Sequence, residues 1–414
     1  MVPLDLAGPG VTALVIGVFI AVYAGLALGR VPGFGVDRTG FALLGALALY
    51  AAGAVDDHGV AAAVDVPTLV VLFGLMVLSA QFYVSGFYDL CVHAISHGGA
   101  SPRRLLAVTV VVGGGLSSVL ANDVVVFAMT PLLCRGIMAR GLDPRPYLIA
   151  LAGAANAGSA ATIIGNPQNI LIGQAGGLDF WAFLAVCGPP ALAALAVVYA
   201  TVAVIWRREM TDPGRAPGHE RPAFSRWGIA KGGLATIALL ACFALPVSQA
   251  TGVLIVAGAL LVTRRRTTRE MLEHVDWPLL LLFVGLFVIT HAVASLPVVV
   301  EAVAGLQAAG ADPSRLSVMT PFALIASNTI GNVPAVVLLL ALWPDLPEAT
   351  LQALALLSTL AGNLLLVGSL ANLIVAERAA AVGVRLGFLE HARCGVPMTL
   401  VSVALAVLWL ALVG

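Results

Sequence analysis

Charged residues make up only 10% of this 414-residue chain, and aromatic residues only 7%. A soluble domain is about one quarter charged, so a chain of this length has far too few charges to cover a water-facing surface. That shortage excludes a soluble enzyme, a nucleic-acid binder and a disordered scaffold. Cysteine is sparse too. Cys91, Cys134, Cys187, Cys242 and Cys394 are scattered with no Cys-x-x-Cys pair, which argues against a disulfide framework and a zinc site. No Gly-x-x-x-x-Gly-Lys-Ser/Thr loop occurs, so ATP drive would need a partner subunit, and no cofactor motif is present. The opening stretch MVPLDLAGPG lacks the basic start of a cleaved signal peptide, so the first apolar segment is expected to be retained.

In place of charge the chain is 60% hydrophobic, with a mean hydropathy of +1.02. Apolar runs approach the ~20 residues that a helix needs to cross a bilayer, whereas a transmembrane barrel would alternate apolar and polar residues. The expected fold is an all-α polytopic membrane protein. Continuous spans are predicted near 11–29, 40–55, 66–86, 178–206, 228–246, 250–263, 277–296 and 393–413. Segments 146–175 and 350–376 are long enough to cross but carry Gly and Asn at their centres. Segments of about 104–139 and 313–345 hold the polar sequences SSVLAND and IASNTIGN in their middles. Each of these two reads either as a full crossing with a tail or as a hairpin that enters and leaves on one side.

Basic residues decide between those readings, because cytoplasmic loops collect Lys and Arg. With the N-terminus outside and both segments folded as re-entrant hairpins, 20 of the 21 basic residues face the cytoplasm and only Arg315 lies outside. Full crossings would place the clusters at Arg103–Arg104 and Arg135–Arg145 on opposite faces. The hairpin arrangement is therefore expected, in the plasma (inner) membrane, with both termini outside.

The chain also repeats itself. DVPTLVVLFGLMV (65–77) aligns with DWPLLLLFVGLFV (276–288), sharing Asp-x-Pro and a Gly nine residues after the Asp. SSVLAND (117–123) aligns with SNTIGNV (327–333), and IIGNPQNILI (163–172) with LVGSLANLIV (366–375). Five spans plus one hairpin per half is an odd number of crossings, so the halves are expected to insert with opposite orientation. The first repeat is expected over 1–206, a cytoplasmic linker over 207–226 and the second repeat over 227–414. Inverted repeats with paired broken helices mark secondary transporters, whose solute site lies where the repeats meet.

Irregular backbone at membrane depth occurs only where it is buried in protein or lines a cavity. The candidate solute and ion ligands are therefore the four polar breaks. Ser117, Ser118, Asn122 and Asp123 lie at the first tip, and Thr162, Gly165, Asn166 and Asn169 at the first break. Ser327, Asn328, Thr329 and Asn332 lie at the second tip, and Asn363, Gly368, Ser369 and Asn372 at the second break. Carbonyl and amide oxygens suit a hard cation, and half-helix N-termini suit an anion. Small polar residues also glue helices together, and for any one of these positions that role competes with a ligand role.

Asp123 is the only acid that this topology places deep in the membrane, where an ionisable residue reads as a proton or cation site. A helix cap is its alternative role, and its repeat equivalent is Val333. His291 reads as an interfacial or core histidine. His93 and His97 have i,i+4 spacing but no third ligand, so no metal site is expected. Asp65 and Asp276 begin matched spans beside Pro67 and Pro278, and helix-start placement accounts for them.

At these residues the chain resembles the ion transporter superfamily, in the arsenite permease and divalent anion:sodium symporter branch with its citrate-transporter-like domain. The likeness rests on Ala121-Asn122-Asp123 followed by Thr130-Pro131, on Gly165-Asn166-Pro167-Gln168-Asn169, and on Ser327-Asn328-Thr329. In the symporter branch a Ser-Asn-Thr at both tips contacts the anion, with sodium nearby. Here the first tip reads Ser117-Ser118-Val119 and its Asn-Asp is closer to the arsenite-permease side. The resemblance implies a homodimer, an elevator-like movement of the hairpin-bearing part, and a transported Na+ at the tips as the sole metal.

The functional expectation is an ion-coupled secondary transporter, driven by Na+ or H+, for a small anion or oxyanion-like solute, acting by alternating access without enzymatic activity. A sodium/proton antiporter is the alternative. An intramembrane enzyme is more distant, because Ser159 and Ser369 have no His partner in the sequence pattern. Lipid and the solute are the expected partners, with no nucleic acid. The topology predicts that cysteines introduced at Gly214 and Gly218 label only from the cytoplasmic side, and one at Gly59 only from outside. Labelling of both loops from one side would remove the hairpin arrangement.

Overall fold

A computed structural model describes residues 8–29, 35–97, 101–211, 222–244, 248–263 and 267–413. The first seven residues, most of the basic linker, and the basic positions Arg30 and Arg264 to Arg266 lie outside the described residues, as does the side chain of His97.

Among the described residues the chain forms twenty α-helices and no strand, in two runs of ten. The first run is α1 (Pro9–Leu28), α2 (Arg38–Ala51), α3 (Asp57–Ala63), α4 (Val66–Val84), α5 (Phe87–His97), α6 (Pro102–Ser117), α7 (Asn122–Ala139), α8 (Arg145–Ser159), α9 (Pro167–Gly176) and α10 (Phe180–Ile205). The second is α11 (Arg226–Ala244), α12 (Gln249–Leu261), α13 (Thr268–Leu272), α14 (Trp277–Ala294), α15 (Pro297–Ala308), α16 (Leu316–Thr329), α17 (Asn332–Leu342), α18 (Glu348–Ala361), α19 (Leu370–Ala380) and α20 (Phe388–Val413). A short 3-10 turn, Leu366–Gly368, stands between α18 and α19. Among the described residues seven helices, α1, α4, α7, α10, α11, α14 and α20, are long and apolar enough to cross a membrane.

Local chemistry sets the helix starts. Asp37, Asp56, Asp65, Asp179 and Asp276 each accept an N–H bond from the first turn of the helix that follows. Proline fills the first turn of α4, α6, α9, α14 and α15, where its missing N–H has no helical partner to lose. The turn from α4 into α5 passes through Gly86 at φ 75°, and a Cβ there would lie 2.6 Å from the carbonyl oxygen of Ala223.

The contacts interchange when the two runs are exchanged. Helix α2 packs on α14 as α12 packs on α4; α7 packs on α19 as α17 packs on α9; α10 packs on α20. Helices α8 and α18 lie at the centre, with Pro146–Ser159 and Thr350–Ala361 buried throughout. Leu192, Leu234, Ile237 and Leu408 point outward as exposed apolar residues, an outer surface suited to lipid.

The polar-centred segments become helix pairs: α6 and α7 joined through 118–121, and α16 and α17 through 330–331. The Gly- and Asn-centred segments become the interrupted pairs α8/α9 and α18/α19. Two expected spans are shorter in the structure, α2 with 14 residues and α12 with 13. At ~1.5 Å rise per residue each covers about 20 Å, less than the ~30 Å hydrocarbon layer. Helices α3, α5, α13 and α15 were absent from the sequence expectation, because short or two-faced segments do not register as apolar runs.

Close packing at the centre depends on glycine. A Cβ on Gly158 would sit 2.1 Å from the Gly114 carbonyl oxygen, where α8 crosses α6, whereas one on Gly115 meets open space. Gly158→Ala should therefore destabilise detergent-purified protein by ~1–3 kcal/mol in thermal unfolding. Gly115→Ala should leave the transition where it is or raise it slightly.

Candidate functional site

A helix that stops inside an apolar bundle leaves carbonyls and N–H groups without water, and side chains must take them up. At the first break, Asn166 caps α9 by accepting from Asn169 N–H at 2.9 Å. The Asn169 side-chain amide donates back to the carbonyls of Ser159 (3.2 Å) and Thr162 (3.0 Å). The second break repeats this device. Ser369 caps α19, and the Asn372 amide donates to the carbonyls of Gly362 (2.8 Å) and Leu365 (3.2 Å).

Each tip is tied to the break of its own half. Asn122 N–H donates to the Gly165 carbonyl (3.0 Å) and Thr162 Oγ1 to the Ser118 carbonyl (2.5 Å). In the second half Asn328 Nδ2 donates to the Ala361 carbonyl (2.9 Å) while its Oδ1 accepts from Leu365 N–H (3.1 Å). Gly368 must be glycine here, since a Cβ would lie 2.3 Å from Asn328 Oδ1.

The two halves meet through Asn156 and Thr359, which occupy equivalent places one turn before the breaks. Asn156 Nδ2 donates to Asn363 Oδ1 (2.8 Å) and Asn372 Oδ1 (3.1 Å). Its Oδ1 accepts from Ser369 Oγ (3.0 Å) and Asn122 Nδ2 (3.3 Å). Thr359 Oγ1 donates to Asn169 Oδ1 (3.3 Å) and accepts from Asn166 (3.2 Å) and Gln168 (3.1 Å). One network thus runs from the first tip across both breaks.

Most of the expected residues converge on this network. Thr329 does not: it is exposed, and its hydroxyl bonds the Ile325 carbonyl of its own helix. Asn332 is buried, but among the described residues its Oδ1 accepts only from the adjacent Val333 N–H (2.9 Å). Ser118 bonds the Gly115 carbonyl, and Ser327 the Ser358 carbonyl at 3.4 Å. Ser117 Oγ and Asn122 Oδ1 are buried without a hydrogen-bond partner among the described residues. Helices α7 and α17 also begin without side-chain caps, at Ala121 and at Gly331 with φ 94°. Asn156, Ser159, Gln168 and Thr359 were missing from the expected set. The signal was an amide or hydroxyl inside an otherwise apolar helix; their bonding partners lie up to 216 residues away.

Asp123 makes no hydrogen bond among the described residues, so it does not cap α7. It is 7% exposed and faces a cavity of about 260 Å³ bounded by α4, α7, α9, α19 and the start of α14. Met76, Tyr83, Phe127 and Ile374 line that cavity. Their repeat equivalents, Phe287, Ala294, Val337 and Leu171, line a second cavity of about 290 Å³. The first cavity reaches the tip and break at Ala121, Asp123 and Pro167; the second is lined by no residue of the second tip or break. No group of three His, Cys, Asp or Glu residues suited to a metal ion occurs among the described residues. At the cavity mouth, burial lowers the His274 imidazole pKa and raises that of the Asp276 carboxyl.

Comparison with known proteins adds a family likeness. A family profile described as citrate transporter matches residues 18–351. The inner membrane protein YbiR of Escherichia coli is 33% identical, over 77% of this chain and 81% of its own. The silicon efflux transporter LSI3 of Oryza sativa is 26% identical, over 91% of this chain and 93% of its own. The YdaH transporter of Alcanivorax borkumensis, described as having an unusual topology, shares the fold with a TM-score of 0.54 at 14% identity, over 98% of each chain.

Because Asn156 holds partners on both halves, Asn156→Ala should destabilise the protein by ~1–3 kcal/mol through the polar groups left buried and unpaired. Asn332→Ala should cost less, since its side chain bonds only the neighbouring N–H. Thermal unfolding of the two variants checks the order.

Proposed function

The chain belongs to the citrate transporter family, and from that premise we propose an ion-coupled secondary transporter for a small anion or oxyanion-like solute. Its members and relatives are transporters, so this is a transport protein of a membrane and not an enzyme. The observation that carries the finer reading is the convergence of both breaks and the first tip on one buried network, with a cavity leading to it.

In this reading the first repeat spans 1–206, the linker 207–226 and the second repeat 227–414, inserted in opposite senses with α6–α7 and α16–α17 as re-entrant hairpins. The interchange of helix contacts supports the pseudo-symmetry, and the count of basic residues supports cytoplasmic placement of the linker. The protein resides in the plasma (inner) membrane with both termini outside. The name of the bacterial relative, an inner membrane protein, supports the location. The two cavities act as alternate routes to one site. Only the first of them reaches a tip and a break among the described residues.

The amides of Asn169 and Asn372 hold the breaks in shape. The ligand roles fall on groups with capacity to spare: Ser117 Oγ and Asn122 Oδ1, which lack partners among the described residues, and the N–H groups that remain at the starts of α7 and α17 beyond those of Asn122 and Val333. An acceptor oxygen beside Asp123 suits a coupling cation, and uncapped N–H groups suit the anion. The silicon efflux activity named for the rice relative favours a compact oxygen-rich solute. A sodium/proton antiporter is the second reading, favoured by Asp276 sharing the cavity of Asp123.

Proteoliposome uptake of phosphate-like oxyanions, arsenite, silicate and di- and tricarboxylates, under imposed sodium or proton gradients, tests the proposal. With the transported solute identified, Asp123→Asn should retain counterflow exchange but lose accumulation if the driving ion is a proton. With sodium as driver, the same variant should only raise the sodium concentration required. Unchanged proton-driven accumulation in Asp123→Asn would remove this residue from the coupling site, and failure of every solute to exchange would remove the anion reading.

A further inference from the structure

Asp276 opens helix α14, and a capping role accounts for one of its two oxygens: Oδ1 accepts from Leu279 N–H at 3.0 Å. Nothing in that role requires the residue to face a cavity, yet Asp276 lines two. One is the 260 Å³ space that ends at Asp123; the other, of about 450 Å³, holds Asp37, Arg38 and Glu377. Asp276, Pro278, Leu279 and Ile374 form the wall between them.

The charge pattern of the inner cavity is one-sided. Asp123, Asp276 and Glu273 line it, Glu273 pairing at 3.4 Å with Arg269 outside the cavity, and among the described residues no Lys or Arg lines it. Its other titratable walls are Tyr83 of α4 and His274, whose ring stacks on Tyr83 at 4.3 Å between centroids. Burial disfavours the charged form of His274, so the imidazole is a poor counter-ion. From α19, Arg378 lies over the Phe127 ring at 3.9 Å and does not line the cavity, while Arg38 of α2 faces only the outer space. The remaining walls, among them Leu72, Leu75, Met76 and Leu279, are apolar and screen charge weakly.

Two carboxylates in such a space repel unless a positive charge joins them, and a carboxylate pair then titrates as a unit. Asp123 adds an independent sign of a ligand: a buried carboxyl, aimed into the cavity, with no hydrogen-bond partner among the described residues. We propose that Asp123 of α7 and Asp276 of α14 form one shared site for a single monovalent cation, a proton or a sodium ion. The site joins a helix of the first half to a helix of the second, so occupancy favours the conformation that brings the two carboxylates to one cavity. Its role in coupling rests on the transporter reading; the binding itself does not.

The test uses full-length protein purified in detergent and reads thermal unfolding. Sodium chloride is titrated against choline chloride at pH 8.5, and pH is varied from 8.5 to 5.5 without sodium. A ligand that binds only the folded state raises its unfolding temperature. A carboxyl that takes up protons more readily folded than unfolded makes stability rise as pH falls, so both arms have the same sign. Wild-type protein should respond to sodium, which assigns the ion as sodium, or to acidification alone, which assigns the proton.

Asp123→Asn and Asp276→Asn should each weaken that response about tenfold or more, and the double variant should match the singles, as expected for one site. Asn caps a helix as well as Asp does, and Asp276→Ser offers a second capping variant, so loss of response is separable from loss of the α14 start. A wild-type response in Asp276→Asn, losses that add in the double variant, or no response in wild-type protein would each overturn the shared site. If counterflow exchange persists in any of these cases, the transporter reading stands without it.

Discussion

A backbone group removed from water must find another partner, and the centre of this protein is organised by that requirement. Two helices stop midway through an apolar bundle, at Ser159 and Ala361, and restart at Pro167 and Leu370. Asn169 and Asn372 reach back to the stranded carbonyls, while Asn166 and Ser369 cap the restarting helices. Without these four side chains each break would bury unpaired carbonyl and N–H groups, at a cost of roughly 1–3 kcal/mol each. Satisfied, the breaks become rigid pieces of polar surface inside a membrane-type fold, and the tips, the cavity and the candidate ligands all take their positions from them.

The two halves solve the same problem with different residues, and the differences point to specialisation. Asn166 is answered by Ser369, Asn156 by Thr359, Asp123 by Val333 and Ala121 by Gly331. The matched residues around the breaks hold structure. Two of these four differences, at Asp123 and Ala121, fall at the first tip, and both residues line the first cavity, whose wall holds a buried acid.

Much of this was legible in sequence because it is periodic or chemically loud. Apolar runs bounded by Asp-x-Pro announce α4 and α14, and Gly-Asn-Pro in a hydrophobic segment announces a broken helix. Three-dimensional partnership was less visible. Asn156 sits in the small-residue stretch LAGAANAGSA, and its bonds to Asn363 and Asn372 join positions over 200 residues apart. Asp276 was accounted for by its helix cap, which is present, so nothing in the sequence called for its second role. The short helices α3, α5, α13 and α15 escaped for a similar reason: too small or too two-faced to form an apolar run, they depend on the bundle for their stability.

If the two cavities related by the repeat are alternate routes to one site, access to one must close as the other opens. Ile374 lines the cavity that reaches the first tip, and its equivalent Leu171, 4% exposed, lines the other. Single cysteines at these two positions, in a background without the five native cysteines, report on each route through the rate of reaction with a membrane-impermeant thiol reagent applied from either side. Alternating access requires reciprocity: any change of ion gradient or solute that speeds labelling at Ile374→Cys slows it at Leu171→Cys, from opposite faces. Rates that rise and fall together, or both positions reacting from one face, would contradict it.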